Sequence, residues 1–104
     1  MNAEPPIKYA VKRVADDTVV LEFRLTRPIR PEELPTLVES APDVSGAVLL
    51  VISGRGPIWL YGALLHRYLH SVAAIATFDP KVGGAVVVAS HDLRWYVGQV
   101  VRLA

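Results

Sequence analysis

The feature that most constrains this chain is six consecutive apolar residues, Ala47-Val48-Leu49-Leu50-Val51-Ile52, that run straight into Ser53-Gly54-Arg55-Gly56-Pro57. A run this short with no polar alternation is the pattern of a strand buried on both faces, so it predicts the central strand of a covered sheet. A helix start comes next: Pro57 suits a first-turn position whose N–H has no partner, and Gly56 can serve as the cap. Ile58 to His70 then keeps helical spacing, with Ile58, Tyr61, Leu65 and Tyr68 on one face. Val72 to Phe78 is a second apolar strand. Strand, helix and strand make a right-handed crossover, so the two strands are expected to be parallel.

The flanks add simpler elements. Ile7, Tyr9 and Val11 alternate with polar residues, and Val19, Leu21, Phe23 and Leu25 do so again after Asp16-Asp17, which predicts a half-exposed antiparallel hairpin. Pro28 and Pro31 break the chain before a short helix at residues 32–38, whose acidic first turn suits the helix dipole. Asp79-Pro80-Lys81-Val82-Gly83-Gly84 is a turn leading into an antiparallel strand at Ala85–Ala89, and a last strand is expected near Val100 to Leu103. The expectation is one α/β domain over residues 1–104, a mixed sheet of five or six strands with two helices. Two helices cover little of such a sheet, so the remaining apolar surface is expected to be buried in an oligomer. The chain has no cysteine, which excludes disulfides, thiolate metal sites and thiol nucleophiles and suits a reducing cytosol. Residues 1–6 lack the basic-then-apolar pattern of a signal peptide, and no apolar run approaches the ~18 residues of a membrane span. A soluble, cytoplasmic protein is expected.

Net charge is +1, too small for non-specific binding to nucleic acid. The distribution is uneven: residues 1–50 sum to −2 and residues 51–104 to +3, with His66, His70 and His91 all in the second half. An anion therefore belongs with the second half. Ser53-Gly54-Arg55-Gly56 is the strongest local candidate, because its glycines admit a ligand close to the backbone, a helix N-terminus follows, and Arg55 offers a phosphate-matched fork. It is neither a Walker A loop nor a dinucleotide fingerprint, and a plain tight turn would use the same glycines. His66 and His70 stand four apart on a helix, a spacing open to metal binding or to ordinary surface histidines. Trp59, Tyr61 and Tyr68 read as core or subunit contacts, and Trp95 and Tyr96 fit either core or ligand contact.

Topology sorts these residues. The helix descends by ~20 Å at ~1.5 Å per residue, so His70 falls at the edge opposite the glycine turn. The next strand climbs back at ~3.3 Å per residue and returns Asp79 and Lys81 to the glycine edge, after which the antiparallel strand leaves His91 beside His70. Chemistry that needs both groups requires stacked copies, the top of one meeting the bottom of the next.

Ser53-Gly54-Arg55-Gly56-Pro57-Ile58-Trp59-Leu60-Tyr61, His66-Arg67-Tyr68-Leu69-His70 and Phe78-Asp79-Pro80-Lys81-Val82-Gly83-Gly84 through His91, in that order, resemble the CRISPR-associated Csx-three family, also called ring nuclease three. The resemblance implies a distant Rossmann-like fold of the CRISPR-associated sensor type that cleaves cyclic tetra-adenylate. It further implies homodimers that sandwich the ring in a ligand-bridged tetramer or head-to-tail stack, with manganese supporting cleavage. On the matched positions, Ser53, Gly54, Arg55 and Gly56 would hold the phosphates, His70, Asp79 and Lys81 would serve cleavage, and His70, Asp79 and His91 would form the metal set. Lys81 stands where relatives are expected to carry Arg, and Arg67 where they carry Lys. Charge is kept, but the planar fork is lost at position 81. Neither DNA nor a membrane is expected as a partner. Cleavage by a ribose 2′-hydroxyl, cleavage by water, 3′ trimming of linear adenylates as a manganese-dependent exoribonuclease, and binding without cleavage all remain compatible with these residues.

Overall fold

The computed structural model describes residues 4–103. Part of the signal-peptide reading rests on Met1, Asn2 and Ala3, which lie outside them. Nine elements occur in order: β1 (Ile7–Ala15), β2 (Thr18–Leu25), a 3-10 turn (Pro31–Glu33), α1 (Leu34–Glu39), β3 (Gly46–Ser53), α2 (Ile58–Tyr68), β4 (Val72–Asp79), β5 (Gly84–Ser90) and β6 (Val100–Val101). The strands form one six-stranded sheet in the order β1-β2-β3-β4-β5-β6. β2, β3 and β4 are mutually parallel, while β1, β5 and β6 are antiparallel to their neighbours. The expected mixed α/β sheet with two helices is what forms. No helix among the described residues is long and apolar enough to cross a membrane.

The apolar run is β3, third of six strands, and Leu49, Leu50, Val51 and Ile52 are fully buried. Even residues of β3, Leu50 and Ile52, face α1 and α2 together with Leu21, Phe23, Leu37, Leu60, Leu64 and Tyr68. Odd residues, Leu49 and Val51, face the opposite core with Val20, Ala74, Ala76, Val87 and Trp95. Both helices lie on one side. The other side is covered by the segment after β5, which lays Trp95 across the sheet.

Several expectations change in detail. β2 is not half-exposed over its first part: Thr18, Val19, Val20 and Leu21 are all buried, because helices cover one face of that strand and the Trp95 side covers the other. The helix begins one residue later than expected, with Pro57 itself in the cap position and its carbonyl accepting the Leu60 N–H at 3.0 Å. The helix also ends at Tyr68, so His70 lies beyond it and the four-residue spacing from His66 does not place the pair on one helical face. His66 instead lines a depression with Leu34, Val38 and Arg67 on the α1 side.

The buried stripe of α2 is Leu60, Leu64 and Tyr68; of the face read from the spacing, Tyr68 is buried and Tyr61 and Leu65 pack partly against the core. Ile58 is 86% exposed. The helix is apolar around more of its circumference than one core contact uses. Gly62, in the middle of α2, costs the helix about 1 kcal/mol relative to alanine, and an added Cβ there would meet nothing within 4 Å.

Candidate functional site

β2, β3 and β4 all end at one edge of the sheet, here the upper edge, where open α/β sheets usually receive ligands. The turn Ser53–Gly56 sits there, and its shape is imposed from below. Gly54 lies so close over Phe23 that a Cβ would stand 2.5 Å from the Phe23 carbonyl oxygen and 2.7 Å from its ring. The Tyr61 hydroxyl donates to the Gly54 carbonyl at 2.6 Å, and Tyr61 meets Phe23 edge-on with ring centroids 5.3 Å apart. Burial raises the Tyr61 phenol above its ordinary range, keeping it a donor. No side chain caps α2, so the N–H groups of Ile58 and Trp59 are left to solvent or to a ligand.

Asp79 ends β4 at the same edge, and its Oδ1 accepts the backbone N–H of Lys81 at 2.9 Å. The Gly83 N–H donates to the Asp79 carbonyl, and Arg102 donates from Nη1 to the carbonyls of Val82 and Gly83, both at 2.9 Å. The turn that carries Lys81 is thereby tied to the stretch after β6. Gly56, Tyr61, Asp79 and Pro80 line one open cleft of about 520 Å³ between α2 and β4.

The lower edge is built differently. His70 and His91 lie side by side, ring centroids 6.4 Å apart and planes within 20° of parallel. His91 Nε2 is 3.0 Å from the Leu69 carbonyl oxygen. A carbonyl only accepts, so Nε2 carries the hydrogen and Nδ1 is the nitrogen left for a proton or a metal. The segment after His91 is held by side chains: Ser90 Oγ donates to the Trp95 carbonyl at 2.8 Å, and Arg94 clasps Asp92 and reaches the Ala47 carbonyl at 2.9 Å. The hydrogen bonds from Arg94 hold the Asp92 carboxyl below the usual carboxylate range. Trp95 and Tyr96, adjacent in sequence, go separate ways, the first buried under the Arg94 guanidinium and the second 68% exposed.

β4 separates the two edges by roughly 23 Å at ~3.3 Å per residue. Ser53, Gly54, Arg55, Gly56, Asp79 and Lys81 share the upper edge, and His70 and His91 share the lower one, as topology required. Among the described residues, no three His, Cys, Asp or Glu side chains come together. The set His70, Asp79 and His91 therefore does not fit a metal within one copy.

The basic excess also resolves. Arg67 donates to the Ala41 carbonyl at 2.6 Å and pairs with Asp43 at 3.1 Å, while Arg94 and Arg102 hold carbonyls of Ala47, Val82 and Gly83. Three of the second half's cations thus brace backbone. Arg55 and Lys81 remain, exposed and with no side-chain partner among the described residues, both at the upper edge. Sequence reasoning missed the bracing arginines, since a carbonyl acceptor leaves no mark in the residue that supplies it.

Residues 22–102 match the family model described as CRISPR-associated protein (Cas_csx3). A protein of Aquifex aeolicus (strain VF5), described as uncharacterized, is 43% identical over 98 residues, covering 92% of this chain and 87% of that protein.

Proposed function

The chain belongs to the Cas_csx3 family of CRISPR-associated proteins, and from that premise we propose that it binds cyclic tetra-adenylate and opens it to linear adenylates, switching off type III CRISPR signalling. The observation that carries this reading is the gathering of the two uncommitted cations of the second half, Arg55 and Lys81, around an uncapped helix end and Asp79. Four phosphodiesters closed in a ring make a compact tetra-anion with two-fold-compatible symmetry. A homodimer offers it two Arg55 side chains and two α2 N-termini on opposite phosphates. A second dimer, set with its lower edge over the ring, supplies His70 and His91. The messenger is an intracellular nucleotide, so a cytoplasmic location goes with this reading.

Cleavage then needs two acts from the protein. An imidazole of the upper copy takes the proton of a ribose 2′-hydroxyl. The resulting oxygen attacks the neighbouring phosphorus and the bond to the 5′-oxygen breaks, leaving a 2′,3′-cyclic phosphate and, once protonated, a 5′-hydroxyl. Arg55 and Lys81 of the lower copy oppose the charge that builds on the non-bridging oxygens. Across such a junction, Asp79 of one copy with His70 and His91 of the next are donors of the carboxylate and imidazole types that manganese accepts. The ion would add positive charge at the phosphate; no step above depends on it.

The test is incubation with cyclic tetra-adenylate, with and without manganese, followed by product analysis. Linear adenylates ending in cyclic phosphate are expected. No linear product in either condition removes the enzymatic reading and leaves binding alone. Faster turnover of a linear oligoadenylate would assign the site to 3′ trimming, and unchanged cleavage of a 2′-deoxy ring would replace the hydroxyl attack with water.

A further inference from the structure

We propose that Tyr61 is a positioning residue for the phosphate turn: its hydroxyl holds the Gly54 carbonyl and so fixes the peptide plane between Gly54 and Arg55, which adds the Arg55 N–H to those of Gly56, Ile58 and Trp59 in one backbone cradle for an anion. This deepens the function proposed above and rests on that reading for the anion, a phosphodiester of the adenylate ring. The orientation of the turn comes from the geometry of one chain.

A Gly-Arg-Gly step is a loosely specified stretch of backbone, because neither glycine has a Cβ to narrow its φ and ψ. Packing limits it from below: Gly54 lies against the Phe23 carbonyl and ring, and Gly56 against the Phe23 ring and Leu60. Packing of this kind excludes bulk without choosing which way a peptide plane faces. The Tyr61 hydroxyl makes that choice by donating to the Gly54 carbonyl at 2.6 Å. A trans peptide is planar, with its C=O and N–H pointing opposite ways, and no cis bond occurs among the described residues. With the Gly54 oxygen turned to the phenol, the Arg55 N–H is turned away from it. Tyr61 is itself held, packed partly against the core and edge-on to Phe23.

The N–H groups so presented are unspent. Arg55, Gly56, Ile58 and Trp59 donate to no backbone acceptor among the described residues, and Pro57 has no N–H to give. Successive free N–H groups in a turn make an anion-binding concavity. A reversed plane would put the Gly54 oxygen in place of the Arg55 N–H and set a lone pair against the phosphate. The tyrosine therefore acts through the backbone, without needing to touch the ring.

The experiment compares the full chain with Tyr61→Phe and Tyr68→Phe, by calorimetric titration with cyclic tetra-adenylate, by melting temperature, and by amide NMR spectra without ligand. Tyr68 is the control: its hydroxyl also donates to a backbone carbonyl, that of Pro42, but from the far end of α2. Both changes keep the aromatic ring and remove one hydrogen bond, so both variants are expected to fold with similarly lowered melting temperatures. Tyr61→Phe should raise the dissociation constant about tenfold, the loss of one hydrogen bond to a charged group, and should shift the Arg55 and Gly56 amide signals. Tyr68→Phe should do neither. A merely structural loss would lower the fraction of chain able to bind and leave the dissociation constant unmoved. An unchanged dissociation constant in Tyr61→Phe, or an equal rise in Tyr68→Phe, would overturn the proposal. A wild-type chain that does not bind the ring removes the functional reading instead, and the spectra then decide: shifted Arg55 and Gly56 signals leave Tyr61 as the residue that orients the turn, and unmoved signals overturn that as well.

Discussion

The upper and lower edges of this sheet reach order by opposite means. At the upper edge the backbone itself is pinned: Gly54 is pressed on Phe23, its carbonyl is taken by Tyr61, and the Asp79 turn is closed by its own N–H groups and by Arg102. The cations there are free. At the lower edge side chains do the holding, and His91 is oriented by one bond to a carbonyl while His70 has none among the described residues. A backbone cradle holds its shape without cost when an anion arrives, whereas an imidazole must keep a nitrogen available and so be tethered lightly. On the proposed function, one edge holds charge and the other moves protons.

The division between edges breaks most visibly in a mixing experiment. His70→Ala should lower the rate of cyclic tetra-adenylate cleavage by about 10²–10⁴-fold, Asp79→Ala should lower it by releasing the turn that presents Lys81, and an equimolar mixture should recover part of the activity. Recovery fails if the two edges act within one copy. Binding separates the edges next. Arg55→Ala should weaken the ring about tenfold to a hundredfold, the ~1.5–3 kcal/mol of a charged hydrogen bond, while His91→Ala should leave affinity nearly unchanged in calorimetry. Equal losses would mean that both edges hold charge.

Stability sharpens the contrast at a smaller scale. Gly54→Ala forces a Cβ to 2.5 Å from a fixed carbonyl and should cost about 1–3 kcal/mol in denaturant unfolding. Leu93→Ala, exposed on the lower segment, should stay within about 0.5 kcal/mol. The smallest effect is on alkaline pH. Burial first, with the neighbouring Tyr68 second, raises the Tyr9 phenol from 10.0 to about 12, and burial raises Tyr61 and Tyr68 as well. The folded chain thus keeps protons that the unfolded chain releases. Stability from these phenols should be complete below pH ~10 and decline as pH climbs through the folded values. A melting series for Tyr61→Phe, which lacks one of these protons, should show a shallower decline.

How much was legible in the sequence depends on how each feature is encoded. β3 and the turn after it could be read because an unbroken apolar run and a Gly-Arg-Gly-Pro step have local causes. The two edges could be read because strand direction and length derive from that order. The face of α2 could not: Ile58, Leu60, Leu64 and Leu65 give two overlapping apolar stripes, and only tertiary packing selects Leu60 and Leu64 for the core. β2 hid its double burial because Val19-Val20-Leu21 sits inside an otherwise alternating strand, and the cover on its second face comes from Trp95, some 75 residues later. Trp95 and Tyr96 could not be told apart, since the segment that carries them has no period to read.

The three bracing arginines have a consequence for how the family can diverge. An arginine that grips a backbone carbonyl places no demand on the side chain of the residue it touches. Ala47 and Val82, both exposed, can therefore change side chain without loosening the grip of Arg94 and Arg102, whereas Ala41, held by Arg67, is itself packed in the core. Searches for residue pairs that change together among relatives would pass over these contacts, although they tie α1 to α2, the lower segment to β3, and the stretch after β6 to the turn that bears Lys81.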